Sequence, residues 1–352
     1  MHPTLFKEDV RMNIREMEDA LERQFPSRNL KDRLIRLDNP DLLAFIQNEH
    51  FHSNAVQMAW LLFAEKILSR APWQEPGDTD HSGIYSHHVD RQLAREITGR
   101  LNLLKKVALL LNNKLPDLLR VRIFLSQILV DSWSTKELSS IVNQKLQVVA
   151  EKGEEWLDML SPVEPIVLEE NPIVMIFDGV SPDVWLETMA GLRCDMDEPV
   201  LSWHRLETVP KTAPAISALF GFLNDAMDEF HSRDISYHHL KGNEIHGLED
   251  LIPPFVSDKP AVIRISLVDE GAHSALLRLA EMPAAICRFL ENELPRLQKI
   301  CTAQKRRLVL TADHGLSLTR TGLSHGGGGV FERAIFRVEW GPDSGITCPD
   351  KG

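Results

Sequence analysis

Residues 307–315 read RLVLTADHG, an apolar run of strand length that ends in a carboxylate, an imidazole and a glycine. The same arrangement occurs twice more: IVMIFDG (173–179) ends on Asp178, and IRISLVDEGAH (263–273) delivers Asp269 and His273. A fourth group, LSHGGGG (323–329), carries His325 into a run of four glycines. Residues 173–177, 261–268 and 307–311 read as buried strands. The C-terminal ends of parallel strands open into the crevice where α/β proteins bind ligands, so folding can gather these residues at one edge of a sheet. Carboxylate together with imidazole is the ligand set of catalytic zinc or manganese. The series therefore points to an α/β metal-dependent hydrolase.

Each group has a plainer reading beside the functional one. Asp178 is followed by Gly179, which permits a tight turn, and by Ser181 and Pro182, which read as a helix N-cap and first turn; the aspartate could simply close a strand-to-helix loop. Asp269 and His273 are one helical turn apart, so they either address one ion or form a cap and a surface pair. Asp313 and His314 both reach a ligand only if the chain turns sharply at Gly315. The four glycines after His325 suit a close approach to substrate, a phosphate cradle or a mobile hairpin tip.

The composition, 43% hydrophobic and 26% charged, is that of an ordinary globular protein, and 352 residues can hold two domains or one large domain with an elaborated end. A formal charge of −12 opposes a general nucleic-acid-coating surface, although bound metals could offset acidity locally in a nuclease. The opening MHPTLFKEDVRMNIREMED has no apolar core, and no later stretch is apolar long enough to span a bilayer, so the expectation is a cytoplasmic protein without a membrane segment. Cys194, Cys287, Cys301 and Cys348 form no CxxC pair, and free thiols are expected.

Periodicity changes near residue 165. Before it, apolar residues recur at helical spacing over 56–67, 93–111, 118–130 and 138–149, separated by polar loops, chiefly 71–83. After it, strands alternate with helices expected at 183–189, 213–230 and 273–299, the last broken or kinked at Pro283 and Pro295. The expected organisation is an all-helical domain over 1–165 followed by an α/β domain over 166–352.

Taken in order, Asp178-Gly179, a threonine in ETVPKTAPAISALFG (207–221), Asp269 with His273, Asp313-His314-Gly315 and Ser324-His325-Gly-Gly resemble the alkaline phosphatase superfamily. That superfamily includes nucleotide phosphodiesterases and cofactor-independent phosphoglycerate mutases. Within it the pattern looks most like PglZ-domain proteins, found in bacterial phage-defence (BREX) loci and as effector domains of some response regulators. The stretch FDGVSPD departs from the D-A-x-R-x-E of PglZ domains and is closer to the D-G-x-x-P-D of the phosphodiesterases. The similarity covers residues 172–340. It implies a mixed or parallel sheet sandwiched by helices, and two divalent ions, zinc first and manganese as the alternative. One ion would take Asp269, His273 and His325, the other Asp178, Asp313 and His314, with Thr212 as nucleophile beside the metal.

Thr208 and Ser181 are lesser candidates for that nucleophile, and Thr212 has an ordinary alternative as an N-cap. A hydroxyl at a helix start beside a cation ionises more easily, which gives the choice its physical basis. The resemblance implies a phosphodiesterase or phosphatase acting on a phosphate ester, a nucleotide or nucleic acid in phage defence, with protein partners recruited by the helical half. The competing expectation is a non-enzymatic PglZ-like scaffold. His81, His87 and His88 read as a solvated connector, and His238, His239 and His246 as surface residues or support behind the ligands. Trp60, Trp73, Trp133 and Trp156 read as core, and Lys105, Lys106, Arg120 and Arg122 as too few for a nucleic-acid track.

Overall fold

The runs expected to be strands at 173–177 and 307–311 are strands, and their burial explains their composition. β1 (Ile173–Phe177) and β6 (Leu308–Ala312) are buried at every position, as parallel strands covered on both faces must be. The computed structural model of the protein describes residues 36, 42, 46, 53–69, 91–196, 199–241, 259–274, 278–319, 322–342 and 346–347. Its remaining strands are β2 (Asp195–Met196), β3 (Val200–Arg205), β4 (Ser236–Leu240), β5 (Ala261–Ile265), β7 (Ser317–Thr319), β8 (Gly322–Ser324), β9 (Ala334–Trp340) and β10 (Ile346–Thr347).

Six strands form one mixed sheet in the order β3-β9-β6-β1-β5-β4, and two short ribbons pair β10 with β2 and β7 with β8. β4, β5, β1 and β6 run parallel, while β9 is antiparallel to β6 and β3 to β9. The chain is therefore α/β, with a mostly parallel sheet flanked by helices. Register fixes what the site receives. Phe177 lies beside both Ile265 and Ala312, so the three central strands end level.

Four expectations change in the structure. The run 261–268 is not one strand: β5 stops at Ile265 and the short helix Leu267–His273 begins, with Val268 buried. An unbroken apolar run does not by itself distinguish a strand from a buried helical turn. The single helix expected over 213–230 is two, Thr212–Phe220 and Ala226–Ser232. Gly221, at φ 66°, closes the first in a left-handed cap, and the Asp225 carboxylate accepts the Met227 N–H (2.9 Å) to start the second. The helix expected over 273–299 instead runs Met282–Gln304, with Pro283 in its first turn and Pro295 inside it, held by a buried face that includes Ile286, Phe289, Leu290 and Leu294. Finally, Cys194 is disulfide-bonded. Cys287 and Cys301 are free, and burial pushes their thiols up, to about 11 and about 12, away from nucleophilic reactivity.

The chain divides into two compact units, residues 1–113 with 127–146, and residues 114–126 with 147–352. In the first, the described helices Ser53–Ser69 and Arg91–Leu111 bury Trp60, Phe63, Leu104 and Val107, and Arg100 pairs with Asp131 at 2.7 Å while lying over Trp133. In the second, residues before the sheet are bound into it. A Cβ on Gly153 would stand 2.7 Å from Val330 Cγ1, and Trp156 packs edge-on against Trp203. Among the described residues no helix is long and apolar enough to cross a membrane. Trp73, His81, His87, His88 and His246 lie outside the described residues.

Arg122 is the strongest of these ties. Only 3% exposed, it donates to both oxygens of the fully buried Asp183 (2.7 and 2.8 Å), to Ser181 Oγ (2.8 Å) and to the Leu316 carbonyl (2.7 Å). The other arginine of that stretch, Arg120, pairs with Glu187 at 2.7 Å. Removing one member of a buried, hydrogen-bonded ion pair strands the other charge in a low dielectric. Arg122→Met should therefore cost roughly 3–5 kcal/mol. Adding Asp183→Leu should recover much of that loss, as read from urea unfolding midpoints of the two variants.

Candidate metal centre

Because β1 and β6 end level, the next residues, Asp178 and Asp313, stand side by side. The Asp178 N–H donates to the Ile265 carbonyl (2.9 Å), so its carboxylate is aimed by the sheet itself. Gly179 follows at φ 77°; a Cβ there would come within 3.2 Å of Asp269 Cβ, so the turn after β1 and the helix carrying Asp269 pack closely only with glycine at this position. On the other strand, Asp313 Oδ1 accepts the N–H of His314 (2.8 Å) and, more distantly, that of Gly179 (3.4 Å). Gly315 makes the sharp turn possible: a Cβ would lie 2.0 Å from the Phe331 carbonyl oxygen.

Two trios result. Asp178, Asp313 and His314 are all fully buried, and Asp269, His273 and His325 line a more open position; within each, one ligand atom per residue lies within 4.8 Å of the others. His314 Nδ1 bonds the Gly315 carbonyl (3.1 Å), which requires a proton on Nδ1, and its Nε2 lies 3.4 Å from Asp178 Oδ1. In the second trio, His273 Nε2 is 3.3 Å from Asp269 Oδ1 and 3.3 Å from His325 Nε2. The trios adjoin, the His314 and His325 ring centroids being 4.7 Å apart.

The donor set fits cations. Asp313 Oδ2 and Asp269 Oδ1 are buried oxygens without a hydrogen-bond partner among the described residues. Buried polar atoms normally have one. Burial and then the Asp178 charge push the carboxyls of Asp313 and Asp269 above the usual carboxylate range, Asp313 well above it. Burial and then His314 lower His325, favouring the neutral imidazole that a metal takes. These two carboxylate and imidazole groups could each hold a metal ion.

Thr212 arrives from a separate segment. It is the first residue of its helix, and Lys211 occupies the N-cap position, so the hydroxyl does not serve as the cap. Its Oγ1 lies 3.4 Å from Asp178 Oδ1 and 3.3 Å from His314 Nε2. Of the two lesser candidates, Ser181 is fully buried with its hydroxyl engaged by Arg122. All seven residues marked in the sequence, Asp178, Thr212, Asp269, His273, Asp313, His314 and His325, are brought together.

Others in the site escape a reading by motif. Arg264 pairs with Asp178 Oδ2, and its Nη2 lies 3.3 Å from Thr212 Oγ1. The available signal was a lone arginine inside the apolar strand AVIRI. Ser266 Oγ donates to Asp178 Oδ2 (3.1 Å) and so accepts from His239 Nε2 (2.6 Å), which puts His239 directly behind the ligands. His238 bonds Ser236 instead (3.0 Å).

Compared with known protein families and with curated proteins, the chain matches no family model and no curated protein.

The raised Asp313 carboxyl has a testable consequence. Its favourable contribution to stability is complete below the unfolded value of about 3.9 and is lost as pH rises through the higher folded value. In buffer containing a chelator, Asp313→Asn should therefore melt at a higher temperature than wild type at neutral pH and show a flatter decline from about pH 4 upward. Thermal melts between about pH 4 and 8 would check this, and an unchanged slope would refute the assignment.

Proposed function

We propose that the protein is a metal-dependent phosphoric ester hydrolase, PglZ-like within the alkaline phosphatase superfamily, with Thr212 as nucleophile. The observation that carries this reading is the convergence of the Thr212 hydroxyl on Asp178 and His314, beside a second complete trio. Each trio offers three protein ligands, the number that leaves a catalytic zinc an open position. Zinc is thus the first metal to test and manganese the alternative. Bound ions would neutralise charge on the phosphoryl oxygens and make the threonine hydroxyl easier to ionise.

The chain's own groups supply the rest. Thr212 aims its hydroxyl at Asp178 Oδ1, and the unpaired N–H groups of its nine-residue helix favour negative charge at that end. Arg264, already within reach of Thr212 Oγ1, can donate to a phosphoryl oxygen as charge develops there. Oγ1 releases its proton to solvent and bonds to phosphorus as the bond to the leaving oxygen breaks, that oxygen taking a proton from water; water then cleaves the phosphothreonine and restores the Thr212 hydroxyl. The same reading takes the sheet as alkaline-phosphatase-like and a nucleotide or nucleic-acid ester as substrate. It assigns protein partners to a helical N-terminal domain, and action to the cytoplasm in phage defence.

The test is metal content of the purified chain, followed by hydrolysis of p-nitrophenyl phosphate and bis-p-nitrophenyl phosphate with added zinc or manganese. About two equivalents of metal are expected, with turnover falling by more than about 10³-fold in Thr212→Ala. Metal bound without turnover of either ester would favour the scaffold reading; no bound metal would overturn the ligand assignment. Arg264→Ala should retain metal, lose about 10²–10³-fold in kcat and bind inorganic phosphate more weakly.

A further inference from the structure

The loop that carries His325 is shaped by a buried carboxylate. Glu332, 1% exposed in the short helix Val330–Arg333, accepts the Gly326 N–H (2.6 Å) and the Gly328 N–H (3.0 Å) on the same oxygen, Oε2. Both glycines have positive φ, 97° and 85°, which turns their N–H groups toward one point. Gly327 sits against the other oxygen: a Cβ there would be 3.1 Å from Oε1. The concave run of amides that could cradle a phosphate is thus occupied by the protein's own anion. Neither a phosphate cradle nor a free hairpin tip describes the four glycines.

The same residue reaches the other trio through its backbone. Its carbonyl accepts the N–H of Gly315 (3.2 Å), the residue that follows Asp313 and His314. Beside it, the Val330 N–H donates to Glu154 Oε1 (2.6 Å), so the far end of the glycine run is held as well. One residue therefore grips the loop immediately after His325 with its side chain and the turn immediately after His314 with its main chain.

We infer that Glu332 is a positioning residue for metal binding: it holds His325 in reach of Asp269 and His273, and locks that loop to the turn bearing Asp313 and His314. This rests on the reading of the two trios as metal sites. A buried carboxylate that accepts two amide hydrogen bonds gives the histidine loop one conformation. Groups that orient metal ligands from behind contribute about 10–100-fold in metal affinity.

The test uses the full chain, stripped of metal, and zinc as the probe. Calorimetric titration of wild type should show about two sites. Glu332→Ala should keep the site of Asp178, Asp313 and His314 and weaken the other about 10–100-fold, matching the isotherm of His325→Ala. Glu332→Gln, which retains one acceptor oxygen and the side-chain volume, should be intermediate, and it carries the test alone if the alanine variant does not fold. Amide hydrogen exchange at Gly326 and Gly328, measured without zinc, should speed up in both variants.

Unchanged zinc affinities in a folded variant, or unchanged protection of those two amides, would overturn the inference and leave the hydrolase reading standing. Wild type that binds neither zinc nor, in a parallel titration, manganese would overturn the hydrolase reading and with it the metal-positioning role of Glu332, whereas the exchange measurement would still decide whether Glu332 holds the loop.

Discussion

Two carboxylates held side by side in the protein interior impose the main constraint on this structure. Asp178 and Asp313 follow neighbouring central strands that end level, and neither is exposed to solvent. Like charges in a low dielectric repel strongly, so groups that favour anions gather around them: the Arg264 guanidinium, the Ser266 hydroxyl, and the N–H groups of Gly179 and His314. That arrangement is still incomplete, since Asp313 Oδ2 has no hydrogen-bond partner among the described residues. A cation is the chemical complement of such a site. A one-residue slip of either strand would turn the carboxylates to opposite faces, so the buried sheet and the site are specified together.

Much of the second compact unit serves to keep those strand ends where they are. Gly315 allows the Phe331 carbonyl to lie against the turn after Asp313, and Arg122 ties that same turn, through Leu316, to the start of the helix after Asp178. Residues that precede the sheet in sequence therefore belong to its support. This gives a physical reason why residues 114–126 and 153–156 lie in the same compact unit as the sheet: the polar anchors of the first stretch and the ring and small-residue contacts of the second are made with it.

Thr212 illustrates how one position shifts a residue's role. As an N-cap its hydroxyl would be engaged with its own helix. As the first helical residue, with Lys211 at the cap, it instead points into the carboxylate and imidazole cluster. The reading of the site as a hydrolase builds on this difference, together with two trios of differing burial: one sealed, one open toward solvent.

The sequence by itself determined the chemistry-bearing types and the elements that deliver them. Asp178, Asp313 and His314 were legible because each ends an apolar run, Asp269 and His273 because of their one-turn spacing after another such run, His325 because it leads into a run of four glycines, and Thr212 through its resemblance to a family pattern. Periodicity made the central strands and most helices legible too, since burial on both faces demands continuous apolar residues. Only the tertiary structure decided where β5 gives way to a helix, because an apolar run is compatible with both. It alone revealed Arg264, whose partners lie 86 and 52 residues away, and Arg122, whose partner Asp183 lies 61 residues away. Glu332, too, is read only from the fold that turns two glycine amides onto it. Hydrophobic period is a local property of the chain, whereas the pairing of buried charges depends on strand register and close backbone approach, which no short stretch of sequence contains.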